Sequence, residues 1–179
     1  EYYDREDLSV FVDFECADAE DVYERFGLTG DDRPQTKPSL MIWTTTPWTL
    51  PANMAVAVNE KYEYALVRVD GNVTVLALGL VEQVTKQAGS ESVEVLATTT
   101  GGKLVGVRYK SPLREDVPPA DGPVDKVWSV VSAEYVTLED GTGLVHTATG
   151  HGADDYQTGL REGIGAVSYT HLRAHETKP

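Results

Sequence analysis

Tyr62-Glu-Tyr-Ala-Leu-Val-Arg-Val69, then Asp70-Gly71-Asn72, then Val73-Thr-Val-Leu-Ala-Leu78, is the stretch that decides the architecture. Two runs rich in β-branched and apolar residues flank an Asp-Gly pair. That pattern predicts an antiparallel hairpin, because the pair tolerates the positive φ angles of a tight turn. Upstream, residues 54–58 read as a further strand. Pro47 and Pro51 bracket a tight non-helical segment before it, since each proline removes a backbone donor and restricts its predecessor. Residues 39–43 form an apolar run consistent with a buried strand, and 8–14 alternate as a strand. Between them, 19–26 suit one or two helical turns and 31–34 a loop.

Downstream, residues 80–88 suit a short helix closed by Gly89. Residues 92–98, 105–109, 127–132 and 134–138 read as strands, with a proline-bearing acidic loop at 112–123 and a turn at Asp140-Gly141. Residues 143–146 read as a short strand entering a glycine-rich loop. Residues 153–161 suit a helix, with Asp154 and Asp155 in its first turn and Gly163 beyond its end. Many short strands with frequent turns predict a mainly β fold with a few short helices (α+β), arranged as a barrel or sandwich. No internal repeat is present.

The chain has 179 residues, 41% hydrophobic and 25% charged, which suits one globular domain with a real core. The longest apolar or glycine run, residues 75–81, is far too short to span a bilayer, and no signal-peptide pattern opens the chain. The opening Glu1-Tyr2-Tyr3-Asp4 reads like the middle of a longer protein, so the chain is expected to be a fragment. Cys16 is the single cysteine, which excludes an intrachain disulfide and a multi-cysteine zinc site and fits the cytoplasm. The net charge is −14, and residues 1–32 carry 12 acidic side chains against Arg5 and Arg25. That argues against generic nucleic-acid binding and for a solvated acidic face. Residues 168–179 lack strand alternation or a helical stripe and read as a non-native tail, so the domain is placed at 1–167. His171 and His175 in that tail carry little weight as metal ligands.

Two segments carry candidate chemistry. The first is Trp43-Thr44-Thr45-Thr46-Pro47-Trp48-Thr49-Leu50-Pro51-Ala52-Asn53, with four threonines and one asparagine in a segment locked by two prolines. It is either a strand followed by a rigid turn, or the hydroxyl-lined wall of a polar pocket. The second is Gly141-Thr-Gly-Leu-Val-His-Thr-Ala-Thr-Gly-His-Gly-Ala-Asp-Asp-Tyr156. Its His146, His151 and a carboxylate could ligate a metal, although the spacing matches no standard zinc motif. Alternatively Asp155 captures a cation while His146 shapes the pocket, or the acids merely cap a helix. Asp154 fits capping best. Dinucleotide, Walker and serine-elbow motifs are absent.

Taken together, the two segments resemble the paired editing signatures of isoleucyl-tRNA synthetases. Valyl and leucyl relatives carry Thr-Thr-Arg-Pro followed by an acidic residue in the first stretch, and this chain does not. The resemblance runs over about residues 8–165. It implies a β-barrel-like class I synthetase editing domain (CP1), incomplete at both ends relative to its parent. It implies hydrolysis of valyl-tRNA(Ile) by post-transfer editing. Thr44, Thr45 and Thr46 would line the pocket and hold ester and water, with Thr49 and Asn53 nearby. Trp48 would pack around the terminal adenosine, His146 would limit side-chain size, His151 would sit in the same loop against the substrate, and Asp155 would bind the substrate ammonium. No metal or cofactor is implied for editing. ATP and Mg belong to the parent's catalytic core, whose His-Ile-Gly-His and Lys-Met-Ser-Lys-Ser signatures this chain lacks. The implied partners are the tRNA(Ile) 3′ end carrying valine and the rest of the synthetase, with no membrane and no DNA. One departure is Thr149, where the family usually has proline, and it is expected to loosen the loop. The alternatives are a non-catalytic tRNA-binding or interdomain module and a metal-dependent hydrolase.

Overall fold

The computed structural model describes residues 9–111, 113 and 126–165. Leu8, the loop at 112–123 apart from Leu113, and the tail with its boundary at 167 lie outside the described residues. In chain order the strands are β1 (Val10–Glu15), β2 (Ser39–Thr44), β3 (Ala55–Val58), β4 (Glu63–Val69), β5 (Asn72–Ala77), β6 (Val93–Thr100), β7 (Ser129–Ser132) and β8 (Val145–Thr147). The helices are α1 (Ala19–Arg25), α2 (Val81–Gln87), α3 (Gly101–Leu104) and α4 (Ala153–Glu162). This is the expected α+β composition.

The hairpin seeds the larger sheet. Val69 pairs with Asn72, and the connecting Asp70 and Gly71 both have positive φ, 47° and 89°. A turn of that hand matches the right-handed twist of the strands it joins. Five strands follow in the order β1-β2-β5-β4-β6, and a second sheet runs β7-β3-β8. All contacts in the larger sheet are antiparallel except β2 with β5, where Ser39 pairs Thr74 and Leu40 pairs Val75. Phe14, Leu40, Ile42, Val56, Val58, Leu66 and Val75 fill the space between the sheets. Each fully buried large side chain of this kind contributes about 1.5–3 kcal/mol.

The two sheets do not close into one barrel. Residues 106–110 run between them; 105–109, expected as a strand, is found instead within a connector with two isolated bridges, Cys16–Tyr109 and Arg108–Ser129. Its backbone divides its hydrogen bonds. Val107 O and Tyr109 N serve the β7 side, while Arg108 O and Lys110 N serve the end of β1. A segment shared between two differently oriented neighbours cannot build a regular ladder with either.

Two further expectations are corrected. The segment bracketed by prolines is a 3₁₀ helix, Pro47–Ala52, and not non-helical. Pro47 occupies a first-turn position where its missing N–H costs nothing, and Thr49 N to Thr46 O and Asn53 N to Leu50 O close the short turns at 3.0 Å each. Residues 134–138 are turn and bend rather than strand. The Asn59 side-chain amide donates to the carbonyls of Glu134 and Val136, which removes them from any ladder. The short helix α3 was not expected. A Cβ on its Gly101 would lie 2.1 Å from the Asn59 carbonyl oxygen, so glycine is required there by close approach.

Candidate functional site

The two motifs, far apart in sequence, converge on one cleft of about 370 Å³. Thr44 ends β2, and the 3₁₀ helix then carries the chain from the large sheet into β3 of the small one. Strand β8 pairs with β3, Val56 opposite His146, which brings the second motif alongside the first. The floor is fixed by Tyr64, fully buried on β4. Its hydroxyl donates to the Gly143 carbonyl at 2.8 Å and accepts from Asn59 N at 3.0 Å. Gly143 has φ +76° and a missing Cβ that would fall 2.4 Å from Ala77 Cβ, so only glycine lets the second motif lie this close to β5.

Seven of the nine expected site residues line the cleft: Thr44, Thr45, Thr46, Thr49, His146, His151 and Asp155. Thr44 is buried, and its hydroxyl accepts from Thr46 N at 3.0 Å, so it builds the turn. Thr45 and Thr46 present their side chains to solvent within the cleft. Trp48 does not line it. It stands on the 3₁₀ helix 53% exposed, an unusual position for so large an apolar ring. Asn53 does not line it either, being buried behind His146.

His146 is the centre of the arrangement. Asn53 Nδ2 donates to the Ala55 carbonyl at 2.9 Å and lies 2.8 Å from His146 Nδ1. Nδ1 is therefore the ring's acceptor, and Nε2–H points 3.0 Å to Thr49 Oγ1. The Thr49 hydroxyl proton in turn goes to the Thr46 carbonyl at 2.8 Å. Burial, with His151 nearby as a smaller cause, pushes the His146 pKa down to about 4, so the ring is neutral near pH 7. Both ring nitrogens are engaged. His146 could join a metal site, or act as a general base, only by giving up one of these bonds. That weighs against the metal reading. His151 differs: its Nε2 is buried with no hydrogen-bond partner among the described residues.

Asp155 sits in the first turn of α4, which begins after Gly152. Its Oδ2 accepts from Ala148 N at 3.0 Å, bracing the glycine-rich loop. Burial raises its carboxyl above the ordinary value. The Ala148 N–H opposes that shift, Asp154 adds to it, and His151 opposes it. Asp154 is exposed and outside the cleft, while Asp155 lines it, and neither side chain caps the start of α4, whose N-cap is Gly152. A half-buried carboxylate with one hydrogen bond retains acceptor capacity for a cation.

Thr149 does not loosen the loop. It is buried, its hydroxyl donates to the Gly165 carbonyl at 2.8 Å, and its methyl packs where a Cβ on Gly159 would stand. The loop is thereby tied to the far end of α4. The sequence reading missed Trp43, Tyr135, Thr137 and Asp140, which also line the cleft. Nothing in their local pattern marks them, because 134–140 is irregular and reaches the cleft only through the fold. Trp43 opens the first motif but was assigned no role there, and Gly141 packs on its ring. Among the described residues no group of three His, Cys, Asp or Glu side chains converges on a metal-sized point, and no helix is long and apolar enough to cross a membrane.

No protein-family model matches the chain. It is similar to the isoleucine–tRNA ligase of Saccharolobus islandicus, with 43% identity over 179 residues, 99% of this chain and 15% of that protein. It is likewise similar to the isoleucine–tRNA ligase of Klebsiella pneumoniae, with 42% identity over 165 residues, 92% of this chain and 16% of that protein. The chain thus spans 15–16% of the length of these relatives. In structure it is similar to the P. knowlesi cytosolic leucyl-tRNA synthetase editing domain, with TM-score 0.68 and 19% identity over 86% of this chain and 61% of that one. The corresponding P. falciparum editing domain gives 0.65 and 13% over 83% and 63%. These structural likenesses show the fold.

Proposed function

We propose that this chain, homologous over nearly its whole length to a segment of the isoleucine–tRNA ligases and folded as a synthetase editing domain, hydrolyses the ester of mischarged valyl-tRNA(Ile). The observation that carries the reading is the convergence of Thr45, Thr46 and Thr49 with His146 and Asp155 on one cleft. The need for such a site follows from chemistry. Isoleucine exceeds valine by one methylene, which a binding pocket can exploit for only about 1–3 kcal/mol, a limit already established with this enzyme family. Accuracy then requires a second pocket that admits the smaller side chain and destroys its ester.

In this reading Asp155 takes the substrate ammonium and fixes its register. Thr45 and Thr46 hydroxyls hold the ester and the attacking water. The neutral His146 forms a wall that limits side-chain size, with His151 beside it, and the exposed Trp48 offers a face for the terminal adenosine. Water adds to the ester carbonyl carbon, the bond to the ribose oxygen breaks, and that oxygen takes up a proton. The ester is activated, so orientation and donors to the developing oxyanion supply most of what is needed. No side chain is assigned as general base. No cofactor is assigned to editing, and ATP and Mg would serve the synthetic core of the longer parent enzyme. The partners are the tRNA(Ile) 3′ end and the remainder of that enzyme.

Deacylation of valyl-tRNA(Ile) and isoleucyl-tRNA(Ile), with chelator present, tests the proposal. Valine-selective, chelator-resistant hydrolysis supports it. Hydrolysis that chelator abolishes would transfer the chemistry to a metal. A folded chain, and then a full-length parent, that fails to hydrolyse either ester would leave a binding module.

A further inference from the structure

We propose that Tyr109 is a positioning residue for this site, holding His146 through Asn53 as a donor turned toward Thr49. Tyr109 belongs to neither motif. It lies in the connector between the sheets, buried, its backbone N–H bonded to Trp128 O and its ring 5.2 Å from that of Phe14. The phenol donates to Asn53 Oδ1 at 2.5 Å. From there the direction of each hydrogen bond dictates the next. The Ala55 carbonyl can only accept, so Asn53 must face it with Nδ2 and face Tyr109 with Oδ1. The second Nδ2 proton then meets His146 Nδ1, the ring proton is left on Nε2, and Thr49 must accept it. The chain ends on the Thr46 carbonyl, again an obligate acceptor. Five groups, from Tyr109 through Asn53, His146 and Thr49 to the Thr46 carbonyl, are thus set in one sense, and the last three belong to residues that line the cleft.

Removing the phenol oxygen leaves Asn53 Oδ1 buried without a donor, a situation proteins avoid. The amide can then turn, offering Oδ1 to His146. The ring answers by moving its proton to Nδ1, and Nε2 becomes an acceptor. Thr49 must then turn its hydroxyl away from the Thr46 carbonyl, so the cleft wall presents a different pattern of donors and acceptors. The Ala55 carbonyl resists the turn, so both arrangements coexist in the variant.

The hydrogen-bond chain stands on geometry alone, while its effect on turnover rests on the ester-hydrolase reading. The test is therefore double. In the histidine-¹⁵N-labelled chain, wild-type His146 is expected as a single Nε2–H tautomer, and Tyr109→Phe is expected to add a measurable Nδ1–H population. With valyl-tRNA(Ile), Tyr109→Phe should lower kcat several-fold at unchanged KM, because substrate capture belongs to Asp155. An unchanged tautomer in Tyr109→Phe, or an Nδ1–H tautomer already in the wild type, overturns the proposal. The wild-type measurement does so even if the variant fails to fold. A shifted tautomer in a protein whose wild type hydrolyses no ester would retain the positioning role and sink the hydrolase reading instead.

Discussion

Gly159→Ala is a substitution whose outcome depends on one neighbour. In the interior of α4, alanine replaces glycine with a gain of about 0.5–1 kcal/mol from backbone entropy. The added Cβ, however, would stand 2.6 Å from Thr149 Cγ2 and 3.2 Å from the Ile164 carbonyl oxygen. The first contact is about 1 Å inside ordinary van der Waals separation, and overpacking of this sort typically costs about 1–3 kcal/mol. The net expectation is destabilisation by about 1 kcal/mol. Thr149→Ser removes only the offending methyl and keeps the hydroxyl that donates to Gly165, at a cost of about 0.8 kcal/mol for the lost buried group. In the double variant the new alanine methyl occupies the vacated space. With Thr149 Cβ at 3.1 Å and the Ile164 carbonyl oxygen at 3.2 Å still close, it should recover most of the loss, where simple addition would predict about 2 kcal/mol. Urea denaturation midpoints of the four proteins measure the cycle. Additivity within about 0.5 kcal/mol would refute the claim that Thr149 clamps the loop to α4.

Other expectations follow from the same geometry. Asp155→Asn keeps an acceptor for Ala148 N but loses the charge, so deacylation of valyl-tRNA(Ile) should fall by about 10–100-fold in kcat/KM, the worth of a charge-assisted contact. Because burial raises the Asp155 pKa, its ionised form opposes folding at neutral pH. Thermal melting should therefore show the weakened variant slightly more stable than wild type, and a lower Tm would count against the assignment. His146, with its folded pKa near 4 and an ordinary value of 6.5, contributes stability that is fully present above pH 6.5 and lost as pH falls toward 4. That loss is about 3 kcal/mol at most, and His146→Gln should flatten this part of the acid limb in denaturation measured between pH 7 and 4. Gly101→Ala, which drives a Cβ into the Asn59 carbonyl and the Tyr64 ring, should cost more than about 4 kcal/mol, and a cooperative melt near the wild-type Tm would show that α3 can shift.

Local pattern carried much of the fold. The hairpin, β2, β3, α2 and α4 were legible because turn chemistry, apolar runs and helix punctuation agreed at each. Residues 105–109 misled because Val105, Val107 and Tyr109 alternate as a strand does, while their partners sit on two different sheets. Residues 134–138 misled for a related reason, since a side chain 75 residues away, Asn59, takes their carbonyls. At the site, Thr44 to Thr49, His146 and Asp155 were legible through the resemblance and not through composition. Asn53 was expected near the pocket and does not line it; its place behind His146, and the bond it takes from Tyr109, are properties of side-chain direction that no spacing rule encodes. Thr149 was read as a loss of rigidity because proline was the only comparison. The hydroxyl's bond to Gly165 needed the fold to be seen.

The cleft straddles a joint. One wall leaves the large sheet at Thr44 and enters the small sheet at Ala55, and between the sheets lie a shared apolar core and the connector with its two isolated bridges. A gauge whose two jaws belong to separate plates takes its aperture from how the plates are bolted. Discrimination by size in such a molecule can be retuned by residues that never meet a substrate. On the proposed ester hydrolysis, a selection for a larger or smaller accepted side chain should draw changes from the connector and its β7 partner, Val107, Tyr109 and Val130, as readily as from the threonines and histidine that line the cleft.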